Sequence, residues 1–105
     1  MIEIEAIIES IKAKRIRITD HADEEANNDR ISLVEAIKTI STGEIIEQYP
    51  DDKPYASCLI FSKLENGDPI HRVWALNRET NSSVLITIYR PDPRIWIDGK
   101  IRRTP

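Results

Sequence analysis

The chain of 105 residues has room for one domain with a modest core, and its 40% hydrophobic and 31% charged residues are ordinary for a globular protein. A net charge of −3 and a pI near 5.4 argue against a nucleic-acid coat protein, because such domains usually have a pI above ~9. No apolar run approaches the ~18 residues of a membrane span, and the first ten residues do not resemble a signal peptide.

The N-terminal segment is predicted to form an amphipathic helix over about residues 2–14. Its apolar side chains recur at positions i, i+3, i+4 and i+7, which places them on one stripe: Ile4, Ile7, Ile8 and Ile11. The following segment, Arg15–Ile18, alternates arginine and isoleucine, which indicates a short extended connection.

Two further short helices are predicted from their capping residues. Thr19 is a good N-cap, and the acidic residues after it suit the first turn of a helix that begins near His21. Ser32 and Glu35 form a capping box for a third helix. We expect Gly43 to end that helix in the left-handed conformation.

Four strands are predicted after the helices, because short β-branched or aromatic runs alternate with turn residues: Glu44–Tyr49, Tyr55–Ser62, Pro69–Asn77 and Ser83–Tyr89. The short connections favour antiparallel pairing throughout. We therefore expect an α+β fold in which two or three N-terminal helices pack on one face of a four-stranded antiparallel meander. Cys58, the lone cysteine, is expected to be a buried, reduced thiol, which is typical of a cytoplasmic protein.

The register of the last hairpin decides which side chains share a face of the sheet. A loop over Arg78–Ser82, with Asn81 in the left-handed conformation, places His71 opposite Tyr89 and Val73 opposite Thr87. The polar side chains of His71, Thr87 and Tyr89 then lie on one face. An apolar set is expected on the other face: Val84, Ile86, Ile88, Trp74 and Leu76.

Charge is segregated along the chain. Residues 12–17 contain four bases and no acid, residues 20–52 contain ten acids against two bases, and residues 90–105 contain five bases against two acids. This pattern favours either one anion-binding face or a solvated helical surface with a loose basic tail. Residues 91–105 are predicted to be a basic C-terminal tail in loop conformation, with Ile95, Trp96 and Ile97 folded back onto the body.

The two histidines are candidates for acid–base chemistry, because imidazole titrates near neutral pH. For each histidine alone the commoner role is structural, as a helix-cap residue for His21 and as a packed strand residue for His71. Together with a tyrosine and an arginine they form a more specific group, which contains a base, a hydroxyl and a phosphate-binding fork. We predict catalytic roles for three residues: His71, His21 and Tyr89.

Substrate binding is assigned to basic residues near the C-terminus. Arg90 follows the last strand directly, and Arg102 and Arg103 form a final pair that suits a phosphodiester. Thr87 shares the polar face and completes the predicted binding set. The alternative for the arginines is a solvated tail.

No metal ion or other cofactor is predicted. Asp51, Asp52 and Asp92 carry carboxylates of the kind that hard cations bind, but PDDKP is ordinary turn sequence and spacing supplies no third ligand. The chain also lacks a glycine-rich phosphate loop, zinc-type Cys/His spacing and a nucleophile elbow. A metal-dependent nuclease is therefore the weakest of the functional alternatives.

Several sequence blocks together resemble a family of small bacterial and archaeal proteins of unknown function. They are HADEEA, GEIIEQYPDDKPYASCLIF, PIHRVWALN, ITIYRPDPRIW and the final basic pair, and they extend from about Thr19 to Arg103. The family's recurrent positions correspond here to His21, Glu44, Tyr49, Pro50, Asp52, Ser57, Cys58, His71, Thr87, Tyr89, Pro91, Asp92, Pro93 and Trp96.

The resemblance implies a function at second hand. Members of the family are often encoded beside small zinc-finger proteins that resemble antitoxins, and their layout is similar to that of RelE-like toxins, which are small α+β endoribonucleases. The resemblance thus implies that residues 1–105 form one RelE-like domain, which acts as the toxin of a toxin–antitoxin pair. Its substrate would be RNA, and its partner would be a small antitoxin, such as one of the zinc-finger type. The alternative is a protein-binding module without catalysis.

Overall fold

The computed structural model describes residues 1–104. The chain forms an α+β fold of three helices and a five-stranded mixed sheet, with a separate two-stranded hairpin near the C-terminus. The helices are α1 (Ile4–Lys12), α2 (Asp20–Asn28) and α3 (Leu33–Lys38), and a 3₁₀ turn follows at Thr39–Thr42. The strands are β1 (Ile16–Ile18), β2 (Glu44–Tyr49), β3 (Ser57–Lys63), β4 (Pro69–Asn77), β5 (Ser82–Tyr89), β6 (Trp96–Ile97) and β7 (Ile101–Arg102).

The main sheet differs from the expected four-stranded antiparallel meander. Its strand order is β1-β5-β4-β3-β2, and β1 pairs with β5 in parallel while the other pairs are antiparallel. The segment that was expected to be a connection, Arg15–Ile18, is what supplies this additional strand. It pairs Ile16 with Ser83 and Ile18 with Leu85, and so satisfies backbone groups at an edge of β5 that would otherwise be unpaired.

The three predicted helices are present, and Thr19 and Ser32 cap α2 and α3 as predicted. The Thr19 hydroxyl accepts a hydrogen bond from the Ala22 amide, and the Ser32 hydroxyl accepts one from the Glu35 amide. Within residues 1–104, however, the Glu35 carboxylate accepts from the Glu65 amide at 2.6 Å and does not complete the predicted capping box. The prediction of a left-handed Gly43 is wrong, because the 3₁₀ turn leads directly into β2 with Gly43 extended. A glycine suits this position because an added Cβ would approach the Ile60 Cγ2 to 2.8 Å.

The helices cover one face of the sheet. The fully buried apolar side chains of this core come from all three helices and from the three central strands: Ile7, Ala22, Ala26, Ala36, Ile60, Ile70, Trp74, Leu85 and Ile88. Cys58 is also buried in this core, and burial raises the pKa of its thiol to about 12. No helix within residues 1–104 is long and apolar enough to cross a membrane.

The predicted register of β4 with β5 is confirmed at His71–Tyr89 and Val73–Thr87, and Asn81 in the loop is left-handed, with φ 53°. The predicted apolar face of β5 is wrong in part. A β-bulge leaves Ile86 without a partner, since Thr87 pairs with Val73 and Leu85 pairs with Trp74. Leu85 therefore enters the core, whereas Val84 and Ile86 stay half-buried on the other side.

The segment after Arg90 contains ordered secondary structure where a loop was expected. Strands β6 and β7 pair Trp96 with Arg102 and Ile97 with Ile101, around a turn in which Gly99 has a φ of +74°. Trp96 is buried against the sheet face that the helices leave uncovered, as the fold-back prediction requires, while Ile95 and Ile97 are exposed. We call residues 95–103 the C-terminal hairpin.

Candidate functional site

His71 lies at the centre of the sheet face that is opposite the helices, and the C-terminal hairpin buries it completely. The Trp96 ring meets the imidazole edge to face, with the ring centroids 4.5 Å apart. His71 Nε2 lies 2.6 Å from the Gly99 carbonyl oxygen, and His71 Nδ1 lies 3.2 Å from the Tyr89 hydroxyl. Both ring nitrogens therefore have partners in the described structure.

These partners determine the tautomer of His71. A carbonyl oxygen only accepts hydrogen bonds, so Nε2 carries the proton and donates it to Gly99. Burial lowers the pKa of His71, although the Gly99 carbonyl and the Glu47 charge oppose that shift, so the ring is neutral at physiological pH. Its Nδ1 then accepts a hydrogen bond from the Tyr89 hydroxyl.

The Tyr89 side chain is half-buried, so its hydroxyl is less enclosed than the His71 imidazole to which it is hydrogen-bonded. Burial raises the pKa of the Tyr89 phenol, and the Glu47 and Glu25 charges add to this effect while Arg102 opposes it. Tyr89 thus remains protonated at neutral pH. The register that places it directly opposite His71 is the predicted one.

A carboxylate and a guanidinium form the second part of the site. Arg102 of β7 makes a two-point contact with Glu47 of β2, with Nε 2.6 Å from Oε2 and Nη2 3.2 Å from Oε1. The Arg102 guanidinium also stacks over the Trp96 ring at 4.6 Å, and the Tyr49 hydroxyl donates to Glu47 Oε1 at 2.5 Å. The Arg102 contact lowers the pKa of Glu47, so the carboxylate is ionised at neutral pH.

His21 reaches the same side of the molecule through a carboxylate. Its Nε2 lies 3.0 Å from Glu25 Oε1, one helical turn further along α2, and the Thr87 hydroxyl donates a hydrogen bond to the same oxygen. Thr87 is two residues from Tyr89 on β5, and the Glu25 charge acts on the Tyr89 phenol. The His21 side chain is 66% exposed, so it is the accessible histidine of the two.

Two of the predicted phosphate-binding arginines have structural contacts. Arg90 donates to Asp68 Oδ2 from Nη1 at 2.8 Å and to the Asp29 carbonyl from Nε at 2.8 Å, and it thereby ties the end of β5 to the loop after α2. Arg103 donates from Nε to the Pro93 carbonyl and lies on the far side of the hairpin from Glu47. The structure therefore joins His71 to Tyr89, joins His21 to Thr87 through Glu25, and brings the Arg102 charge to act on His71 and Tyr89. Arg90 and Arg103 are engaged elsewhere.

The aspartates considered as metal ligands are engaged separately. Asp52 accepts a hydrogen bond from the Ser57 hydroxyl at 2.7 Å, and Asp92 pairs with the neighbouring Arg94. Within residues 1–104 no three His, Cys, Asp or Glu side chains are grouped as metal ligands.

Three further residues contact the candidate site residues, and none of them was predicted to have a role in the site: Glu25, Glu47 and Tyr49. A signal existed for each of them. Glu25 stands at the i+4 position from His21, which places both on one helix face. Glu47 and Tyr49 are two residues apart in a predicted strand and so share a sheet face. Their position on the histidine's face depends on strand pairing, because Glu47 pairs with Leu59 and Leu59 with Val73.

Comparison with known families gives one match, to a family described as a domain of unknown function (DUF4258), over residues 18–90. The chain belongs to this family. The DUF4258 match confirms the expected membership in a small family of unknown function. It spans α2 to β5 and so contains His21, His71 and Tyr89, whereas Trp96 and Arg102 of the hairpin lie beyond it. Comparisons with curated proteins and with solved structures gave no match.

Proposed function

We propose that this protein is a metal-independent endoribonuclease of the RelE-like type, which acts in the cytoplasm as the toxin of a toxin–antitoxin pair. The observation that carries the proposal is the hydrogen bond between Tyr89 and the neutral imidazole of His71, beside the Arg102 guanidinium and the His21–Glu25 pair. A hydroxyl backed by a base, an exposed imidazole and a guanidinium fork are together the groups that RNA transesterification requires.

The proposed reaction begins with the RNA 2′-hydroxyl at the Tyr89 oxygen. As the 2′-hydroxyl proton moves to that oxygen, the Tyr89 proton moves to His71 Nδ1, and the 2′-oxygen attacks the adjacent phosphorus. The bond from phosphorus to the 5′-oxygen breaks, and His21 in its protonated form supplies the proton to the leaving oxygen. The products are a 2′,3′-cyclic phosphate and a 5′-hydroxyl end, and proton exchange with water restores both histidines.

Arg102 supplies the positive charge in this scheme. Its contact with Glu47 uses Nε and Nη2, which leaves Nη1 to approach a non-bridging phosphate oxygen, and the side chain is 57% exposed. Glu47 and Trp96 hold the guanidinium in place, so the charge is preorganised for the phosphorane. The Thr87 hydroxyl holds Glu25, which in turn orients His21.

Two tyrosines on one sheet face give a matched test of the mechanism. Tyr89→Phe removes the hydroxyl bonded to His71, and Tyr49→Phe removes the hydroxyl bonded to Glu47. We expect Tyr89→Phe to slow cleavage of an end-labelled RNA roughly 100-fold or more, the usual loss for an acid–base group, and Tyr49→Phe to have a much smaller effect. Full activity in a folded Tyr89→Phe protein would exclude the proposed relay.

The biological half of the proposal has its own test. Induced expression of the protein in a bacterial host is expected to arrest growth, and co-expression of a small zinc-finger protein encoded beside its gene is expected to relieve the arrest. The Tyr89→Phe protein, expressed at the same level, should be harmless. Arrest by both proteins to the same extent would separate toxicity from RNA cleavage.

A protein-binding module without catalysis is the second candidate, and one observation favours it. His71 is fully buried beneath the C-terminal hairpin. The outer face of the hairpin exposes three isoleucines: Ile95 at 48%, Ile97 at 39% and Ile101 at 64%. Clustered exposed apolar side chains are typical of protein-interaction sites. Replacement of all three by threonine would abolish partner binding in this case and leave RNA cleavage absent throughout.

A further inference from the structure

A groove runs along the opposite side of the C-terminal hairpin from the Glu47–Arg102 pair. It lies between the hairpin and the turn that joins β3 to β4, with a volume of about 800 Å³. Trp96 and Gly99 form part of its wall, and its charged residues are Lys63, Lys100, Arg103 and Asp98. None of the three basic residues of the groove has a role in the acid–base chemistry proposed above.

The groove is basic although the whole chain has a net charge of −3. Lys63 and Arg103 are exposed, and within residues 1–104 the Arg103 side chain makes one hydrogen bond, from Nε to the Pro93 carbonyl. Lys100 is partly neutralised by Glu44 at 2.9 Å and lies over the Phe61 ring at 5.2 Å. Lys63 and Arg103 are therefore available to bind a polyanion, and Lys100 lies next to them.

The groove and the candidate active site share the same hairpin. Trp96 packs on His71, and Gly99 accepts the His71 hydrogen bond, while both residues also line the groove. Arg102 and Arg103 are consecutive, yet Arg102 contacts Glu47 on one side of the hairpin and Arg103 lies in the groove on the other. Trp96 and Gly99 thus connect the reacting groups to the groove, although Arg102 and Arg103 lie on opposite sides of the hairpin.

We propose that this groove binds the phosphate backbone of single-stranded RNA next to the cleaved phosphodiester, with Lys63 and Arg103 as the phosphate ligands. The choice of RNA rests on the proposed ribonuclease function, because the groove shares Trp96 and Gly99 with the site that would cleave the RNA. Lysine and arginine on a groove rim bind phosphates without regard to base sequence. The groove would therefore raise affinity without setting the cleavage sequence.

The test compares two double substitutions of equal charge change. Lys63→Gln/Arg103→Gln alters the groove, and Lys12→Gln/Lys38→Gln alters exposed lysines on the helices, which pack on the other face of the sheet. The probe is a mixed-sequence 2′-O-methyl oligoribonucleotide, which lacks the attacking hydroxyl and stays intact. Affinity is measured by fluorescence anisotropy over a range of salt concentrations, and circular dichroism checks folding.

The groove variant is expected to bind this probe roughly tenfold more weakly than the wild-type protein, and the slope of log affinity against log salt should fall by about 1.4, as for two lost phosphate contacts. The helix variant should retain wild-type affinity. Cleavage of ordinary RNA by the groove variant should show a KM raised by roughly the same tenfold, because the lost contacts are contacts to the substrate. Equal losses in the two double variants would overturn the assignment.

The other outcomes separate the groove from the ribonuclease proposal. Groove-dependent binding of the probe by a protein that cleaves no RNA would support the groove and end the ribonuclease proposal. RNA cleavage by the wild-type protein, together with wild-type affinity for the probe in the groove variant, would support the ribonuclease proposal and overturn the groove assignment. Tighter groove-dependent binding of a polyglutamate peptide than of the RNA probe would overturn the assignment to RNA in favour of an acidic protein.

Discussion

Two neighbouring residues of β4 show how differently the two faces of the sheet are covered. His71 and Arg72 are both fully buried, and they point to opposite faces. Arg72 lies under α3, where Nη1 donates to the Ala36 carbonyl and Nη2 to the Ser62 hydroxyl at 2.6 Å. Within residues 1–104 its Nε has no hydrogen-bond partner, and burial lowers the pKa of the guanidinium to about 10.

The coverings differ in what holds them in place. Arg72 is enclosed by helices that belong to the apolar core, so exposing it requires disruption of that core. His71 is enclosed by a hairpin that surface ion pairs attach to β2, Arg102 with Glu47 and Lys100 with Glu44. Exposed pairs of this kind contribute up to ~1 kcal/mol each. Buried Trp96 and the Gly99–His71 hydrogen bond add to this attachment, and we expect the hairpin to open at a lower free-energy cost than the helical core.

The largest effect is expected from Arg72→Ala on the stable face. It removes a large buried side chain and leaves the Ala36 carbonyl and the Ser62 hydroxyl without their donor, so the free energy of unfolding should fall by about 3 kcal/mol. Arg72→Met fills most of the same volume and should recover over half of that loss. Urea denaturation measures both variants. An unchanged midpoint for Arg72→Ala would contradict the assigned role.

A smaller and local effect is expected from Gly99→Ala. Gly99 has a φ of +74°, and an added Cβ would lie 3.0 Å from both Phe61 Cε2 and Pro69 Cβ, so the hairpin or these side chains must shift by a few tenths of an ångström. Gly67→Ala is the matched control, because its φ is +91° but its Cβ would meet nothing within 4 Å. We expect hairpin opening to become easier by ~1–3 kcal/mol in Gly99→Ala. Faster amide exchange at Trp96 and Arg103 in that variant alone would show it.

The free energy of unfolding is expected to depend on pH through His71. Burial lowers the folded-state pKa of His71, so the unfolded chain binds a proton more readily than the folded chain does. The stabilisation is present above the unfolded-state pKa of about 6.5 and is lost as pH falls below it. His71→Gln keeps a nitrogen donor for the Gly99 carbonyl and cannot titrate.

Urea denaturation at about pH 7.5 and about pH 5.5 tests this pH prediction. The wild-type protein should lose more stability than His71→Gln between the two conditions, with exchange at the hairpin amides rising first. Equal losses in the two proteins would assign the acid sensitivity to other groups.

The smallest effect is expected at the Arg102–Glu47 pair. A double-mutant cycle with Arg102→Gln and Glu47→Gln should give a coupling free energy of about 0.5 kcal/mol that falls with added salt, since Arg102 is 57% exposed. Arg94→Gln is the control on the same segment, because within residues 1–104 the salt bridge of Arg94 is with the nearby Asp92, and it should leave hairpin exchange unchanged. A coupling several times larger would mean that the hairpin is not the easily opened cover.

Local sequence signals predicted much of the fold correctly. Thr19 and Ser32 begin helices because their hydroxyls accept hydrogen bonds from nearby backbone amides, which is a property of adjacent residues. The His71–Tyr89 register followed from loop length and from Asn81, which accepts the left-handed conformation. The parallel pairing of β1 with β5 was not predictable in this way, because it joins segments more than sixty residues apart.

Some features of the candidate site were likewise predictable from local sequence, and others depend on contacts between distant segments. Strand periodicity and loop length were enough to place His71, Thr87 and Tyr89 on one face, because side chains alternate along paired strands. Contacts between distant segments place the C-terminal hairpin over His71, bring Arg102 to Glu47 of β2, and hold Arg90 and Arg103 elsewhere. Local periodicity and capping depend on neighbouring residues, whereas burial and charge pairing depend on which distant segments meet.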